Sequence, residues 1–512
     1  MQRLFVIFTL ASCIVALFDD LHLPDNPVYY KEYHRQCGVP LKCASDWRCP
    51  NVYNWKHLEL WAQQEAINRF EWESSFQNNP CYLVSEKEYD FNLFFTNALD
   101  FDDEIGVKNT LTTDILLQHL ASQGKCTVRN LLEGYCPNVN RSLSLDKCQH
   151  RKAYDCDPNY PYRTYNGVCN NLRHTTWGQS GNPLKLEMAP CFDDFVSKHR
   201  MSTSGRSLPN NRNIISDIQR AKNSQGTVVP PTAIFNIFGL IFSEFVTSDM
   251  VGRAMKRTRN ATSGFRGCRA DGSDVSLFRA PLTEPLHIFN IDPNYGPKNV
   301  KCLNFSPIEN ANDQCDIRYP SKRSIATSYL DMSSTYGEGK YDSTGKLVTS
   351  FCEASSTFGQ SHVITIQFLA VAGLFSQLHN YCIDRVSLCG QGQSKEDMIE
   401  KCRSLTIGVY QRIVYEELLL ALFGEEFYSQ CNFDCEYDEG LESSISSTYT
   451  NALGRFQHIW MPENFTLVEG NDRIQKSVPE FFLNLETYDC SMVLEGTFDD
   501  PIRIQTLSES VN

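Results

Sequence analysis

A mainly α-helical fold, tied by disulfides and preceded by a cysteine-rich arm, is what this sequence predicts. Two long stretches, 396–423 and 445–458, repeat apolar residues at roughly helical spacing. Twenty-one cysteines are spread along the chain, which points to covalent bracing in an oxidising compartment. The 512 residues carry 41% hydrophobic and 21% charged side chains, the composition of a folded protein of one large or two fused domains. A net charge of −14 argues against a nucleic-acid partner, which would want a basic face.

The N-terminus reads as a secretory signal peptide over 1–18: one arginine, an apolar run from Leu4 to Phe18, then Asp19 and Asp20. The run is short for a membrane span. A signal anchor is the alternative, and Leu10-Ala11-Ser12-Cys13 also matches a lipoprotein cleavage box. No later segment is long and apolar enough to span a bilayer, so no membrane span is expected after signal removal. Phe235 to Val246 and Val363 to Leu378 read as core helices.

Residues 19–150 form a cysteine-rich N-terminal or pro-region. Seven cysteines fall in it, with helices expected over Trp55–Glu71 and Leu111–Leu120 and no catalytic spacing. Zinc is the competing use of the cysteines, but paired Cys-x-x-Cys motifs are absent; the nearest spacing is Cys431-x-x-x-Cys435. Sequons at Asn140, Asn260, Asn304 and Asn464 agree with a glycosylated, extracellular chain. Arg253, Lys256, Arg257 and Arg259 make a basic loop, or a processing site at Lys256-Arg257.

From 151 onward short motifs follow one another. Tyr162-Arg163-Thr164-Tyr165-Asn166-Gly167-Val168-Cys169-Asn170-Asn171-Leu172 holds an Asn-Gly turn, because both residues tolerate positive φ. Ile237 to Phe245 is apolar apart from Ser243 and Glu244. Thr327-Ser328-Tyr329-Leu330-Asp331-Met332-Ser333 alternates oxygen donors, a pattern that suits a hard cation. His379-Asn380 lies in a helix running to about Val386, and Gly424 is placed to stop the helix over 396–423. Ala452-x-x-Arg455-Phe456-x-His458 closes the helix expected over 445–458. On chemistry alone, a histidine on such a helix is more often a core residue than a ligand.

In this order the motifs, from about Asp155 to Gly496, resemble the animal haem peroxidases. The resemblance implies a helical catalytic domain with little β structure over 151–512. It implies haem as cofactor, with His458 as proximal ligand and Arg455 beside it, and calcium held by Thr327, the Tyr329 carbonyl, Asp331 and Ser333. On the distal side the family carries aromatic-Gly-Gln-x-x-Asp-His-Asp. Here Leu240 stands at the Gln, Ser243 at the haem-esterifying Asp, Glu244 at the catalytic His and Phe245 at the calcium Asp. The family's peroxide-polarising Arg falls on Ser361 or His362, and its second ester carboxylate on Ile364 or Thr365. The family's Arg-Gly-Arg-Asp-His-Gly segment does not occur in this sequence, so it reads as a C-terminally shortened member. With so many site residues changed, the reading is a secreted pseudo-peroxidase with an extracellular binding or matrix role and an unknown extracellular partner. The alternative is a divergent active enzyme oxidising phenolic or tyrosyl donors with hydrogen peroxide, with Glu244 or His362 as distal base.

Overall fold

The computed structural model describes residues 49–76, 102–124, 131, 154–187, parts of 201–217, 236–252, 268, 286–303 apart from 294, 321–337, 341–348, 366–389, 393–430, 437–460, 462, 464–477 and 490–500. The signal segment, Asn140, Asn260, Asn304, the basic loop at 253–259, Ser361, His362, Ile364 and Thr365 lie outside them.

Two helices open the described chain, α1 (Val52–Phe76) and α2 (Asp102–Gly124), both longer than expected, and they pack on each other. Trp55, Ala62 and Ala66 of α1 and Leu111, Ile115, Leu116 and Leu120 of α2 are buried.

The main core is assembled around α3 (Ile237–Met250). Asn236 caps it by accepting from the Gly239 N–H at 3.1 Å, satisfying an amide that the helix itself leaves open. Its buried apolar residues, Ile237, Leu240, Ile241, Phe242, Phe245 and Val246, join those of α5 (Ile366–Cys389) and α6 (Lys395–Arg412) in one cluster. Phe245 stacks on Phe375 with centroids 6.1 Å apart and meets Tyr410 edge-on at 5.8 Å. The short α4 (Ser333–Tyr336) follows the oxygen-rich loop.

The long helix expected over 396–423 is continuous but not uniform. α6 widens into a π-helical stretch, Ile413–Leu418, before α7 (Leu419–Gln430). Gly424 departs from helical geometry at φ 79°, as a stop residue would, yet helical turns resume beyond it. The single helix expected over 445–458 is instead two short pieces, α8 (Ser447–Asn451) and a 3-10 helix (Leu453–Trp460). The break falls at Ala452, φ −131° and ψ −66°. Gly454 follows directly, where an added Cβ would sit 2.9 Å from the Tyr449 carbonyl. Backbone crowding against Tyr449, not apolar periodicity, decides the geometry there.

Strand content is low. β1 (Leu286–His287) pairs with β2 (Cys302–Leu303), and β3 (Asn464–Glu469) forms an antiparallel hairpin with β4 (Asp472–Ser477). Helix α9 (Cys490–Asp499) lies on β3 so closely that Gly496 backs onto the Thr466 carbonyl, where no side chain fits. Disulfides Cys156–Cys169, Cys268–Cys302 and Cys382–Cys402 bear out the expected covalent bracing, and Cys49 is also disulfide-bonded.

The entry motif forms turns, with Gly167 at φ 81° as the Asn-Gly pair requires. It is anchored by Arg403 of α6, which is 1% exposed. Its Nη1 donates to the Arg163 carbonyl at 2.6 Å and to Glu400 at 3.1 Å, and its Nη2 donates to the Thr164 carbonyl at 3.3 Å. The guanidinium also lies 3.9 Å from the centroid of the Tyr165 ring.

Candidate functional site

The face of α3 opposite its aromatic neighbours carries Glu244 and Thr247, one turn apart, against the 3-10 helix. Ser243 is 4% exposed and turns its hydroxyl back into its own helix, onto the Leu240 carbonyl at 2.9 Å. Glu244 is half-buried, and its charge acts on both Arg455 and Tyr449. Arg455 donates from Nε to the Thr450 carbonyl at 3.3 Å. Burial pulls its guanidinium below the ordinary range, and the Glu244 carboxylate opposes that fall. Two residues chosen from sequence, Glu244 and Arg455, are therefore brought together. His458 lies on the same 3-10 helix, and its side chain is outside the described set.

Residues that sequence reading passed over complete this interface. Gln457, fully buried, donates from Nε2 to Thr247 Oγ1 at 3.2 Å across the two helices. Tyr449 lies within reach of the Glu244 charge, and burial raises its hydroxyl pKa. Neither Thr247 nor Gln457 belongs to a pattern with a chemical signature, so composition gave no signal for them.

The oxygen-rich loop forms a second site. Thr327 Oγ1 donates to Asp331 Oδ1 at 2.9 Å and lies 3.2 Å from Ser333 Oγ. The Ser333 N–H donates to Asp331 Oδ1 at 3.0 Å. The Tyr329 ring points elsewhere, its hydroxyl donating to the Trp177 carbonyl at 2.8 Å, which leaves only its backbone as a ligand candidate. Counting along the family pattern puts the missing carboxylate at Phe245, which the structure packs in the aromatic core. A carboxylate is nonetheless supplied one turn later, on the same helix, by Asp249. Asp249 accepts from the Met332 N–H at 2.9 Å and from Ser334 Oγ at 3.0 Å. Asp249 and Asp331 are both fully buried, and Asp331 Oδ2 has no hydrogen-bond partner. Burial, then the Asp331 charge, push the Asp249 carboxyl up to about 7; burial raises Asp331 as well. The expectation that the loop has one carboxylate is thus corrected to two. The i, i+4 relation of Phe245 and Asp249 was the available signal. Among the described residues no group of three or more His, Cys, Asp or Glu side chains converges as a metal cluster.

Of the sequons, Asn464 is exposed at the start of β3. Among the described residues no helix is long and apolar enough to cross a membrane.

A mainly helical, disulfide-braced domain with an entry turn pinned to α6, an oxygen-lined loop and two facing helices defines a peroxidase-type architecture. The Animal haem peroxidase family matches residues 162–345 and 348–509, and the chain belongs to that family. It is 26% identical over 387 residues to chorion peroxidase of Aedes aegypti, covering 68% of this chain and 46% of that one. It is 22% identical over 384 residues to peroxidase skpo-1 of Caenorhabditis elegans, covering 71% and 52%. Over 188 residues it is 28% identical to mouse myeloperoxidase, covering 36% and 25%. The chain spans about half the length of the first two relatives. Among solved structures it is similar to peroxidase A of Dictyostelium discoideum, with TM-score 0.48, 14% identity and coverage of 67% and 70%. It is also similar to rice fatty acid α-dioxygenase, with TM-score 0.49, 13% identity and coverage of 82% and 71%.

The family normally binds haem. The sequence resemblance sets the family's distal and proximal helices at α3 and the 3-10 helix, between which a porphyrin would lie. A flat ring needs about 7 Å between the groups it parts, twice a carbon contact of ~3.5 Å. Thr247 and Gln457 instead touch at 3.2 Å, and Ser243, at the ester position, faces its own backbone. At the described positions α3 offers no ester carboxylate, and the Thr247–Gln457 contact leaves no gap for a ring at that point. Two carboxylates, one of them with an orphaned oxygen, and two hydroxyls do fit a hard cation.

Proposed function

We propose that this chain is a secreted, catalytically degenerate member of its family, acting as an extracellular binding or matrix-associated protein. The observation that carries the reading is the distal face of α3. Peroxide cleavage needs a base that moves a proton from one peroxide oxygen to the other. At the family's histidine position α3 presents Glu244, which faces Arg455 and Tyr449, and at the ester position Ser243, which is turned inward. The apolar 4–18 segment, the sequons and the disulfides support an extracellular setting. Calcium belongs to this reading as a structural ion. Thr327, Asp331, Ser333 and the Tyr329 carbonyl would hold it with Asp249, and it would neutralise two buried carboxylates.

The test is guaiacol oxidation by hydrogen peroxide, using protein secreted from cells supplied with haem. The expected rate equals that of free haem at the same concentration. Turnover above that level, lost in His458→Ala, would overturn the reading in favour of a divergent active peroxidase acting on phenolic or tyrosyl donors. The juxtaposition of Glu244 with Arg455 is what favours that second reading, since it puts a carboxylate on the distal face of α3 where a proton acceptor is needed.

A further inference from the structure

We infer that Thr247 and Gln457 form a polar lock that closes the interface between α3 and the 3-10 helix, and that the chain reaches its finished fold without haem. The inference rests on the degenerate reading above and goes beyond it, because an inactive site can still hold a cofactor.

Thr247 is the hub. A threonine hydroxyl offers one donor and two acceptor positions. Here it receives the Gln457 amide at 3.2 Å, so one side chain of α3 ties down the 3-10 helix. Thr247 and Gln457 are 3% and 0% exposed, so the bond lies in the interior and not at a solvated rim. Glu244, one turn before Thr247, extends the polar seam through its charge on Arg455 and Tyr449.

Inserting a macrocycle would strip these groups of their partners. Each buried donor or acceptor left unmade costs roughly 1–3 kcal/mol. No compensating apolar surface is on offer from α3, because Leu240, Phe242 and Phe245 are already spent on the core with Phe375 and Tyr410. The lock is not perfectly satisfied: Gln457 Oε1 is buried without a partner. Its value therefore lies in the amide-to-hydroxyl bond, which makes a coupling measurement informative.

The experiment titrates hemin into protein produced without added haem, reading the Soret band and the thermal midpoint. The expected result is no stoichiometric band and an unmoved midpoint; weak absorbance that persists in His458→Ala is adventitious surface binding and supports the lock. One haem per chain, with a raised midpoint and loss in His458→Ala, overturns it. If that bound haem gives no turnover, the lock fails while the degenerate reading stands; if it turns over peroxide, both fail. A double-mutant cycle with Thr247→Val and Gln457→Leu supplies an independent readout. The paired variant should lose less stability than the two single losses together, and strict additivity overturns the lock. Should the variants not fold, the wild-type titration decides alone.

Discussion

His379 occupies the interior of α5 with both ring nitrogens engaged. Nδ1 lies 3.2 Å from the Tyr336 hydroxyl and Nε2 lies 3.3 Å from the Gly345 carbonyl. The carbonyl can only accept, so Nε2 carries the proton and Tyr336 donates to Nδ1. Burial pulls the pKa from 6.5 down to about 4, so the ring stays neutral in the folded protein. Between those two values the unfolded chain binds a proton that the folded chain does not. Stability contributed by His379 is therefore present above pH 6.5 and is lost as pH falls toward 4, by roughly 3 kcal/mol if the whole shift is expressed. Asp249 works in the opposite sense, because its raised carboxyl binds a proton in the folded state before the unfolded chain does. The difference between wild type and His379→Gln isolates the histidine. Urea unfolding from pH 7 to 4.5 should show the wild type losing ground relative to the variant on acidification, and parallel profiles would refute this. His379-Asn380 was visible in the sequence as a motif. Its bracing role, with Asn380 accepting from the Leu347 N–H and donating to the Leu347 carbonyl, was not, because both partners come from a distant loop.

At the scale of elements, α3 and the loop 327–334 depend on one another. The loop leaves the helical region at Met332, φ 53°, and Asp249 holds the N–H groups of Met332 and Ser334 as α4 begins. Two buried carboxylates side by side repel unless a cation or a proton intervenes. Calcium should therefore raise the thermal midpoint and EGTA should lower it again. Asp249→Asn should abolish that response and cost roughly 1–3 kcal/mol through loop N–H or O–H groups left unpaired. A midpoint indifferent to calcium in the wild type would remove calcium from the account. Sequence alone showed the alternating oxygens of Thr327, Asp331 and Ser333. It did not show the second carboxylate, because motif counting fixes a position along the chain, whereas a helix presents the same face again four residues later. The same limit explains the region 445–458. Apolar spacing indicated helix, and the backbone turned at Ala452 because of what Gly454 packs against.

At the scale of the whole molecule, distant segments are tied by covalent and polar links that repeat no pattern. Cys382 and Cys402, 20 residues apart, join α5 to α6 inside the core. Closing a loop of that size removes unfolded-state entropy worth about 3 kcal/mol. Replacing both cysteines by alanine should lower stability by roughly 2–4 kcal/mol without a change in helical circular dichroism, and an unchanged urea midpoint would show that the link is dispensable. The sequence by itself determined the helical class, the disulfide chemistry, the family and the residues standing at each family position, because these follow from local periodicity and residue type. Tertiary structure decided which cysteines pair, which residue supplies the second buried carboxylate, and whether α3 and the 3-10 helix stand apart or touch. Those outcomes depend on packing between residues such as Thr247 and Gln457, 210 positions apart. No spacing rule along a chain reaches that far; only the common core, burying both from water, brings them within hydrogen-bond distance.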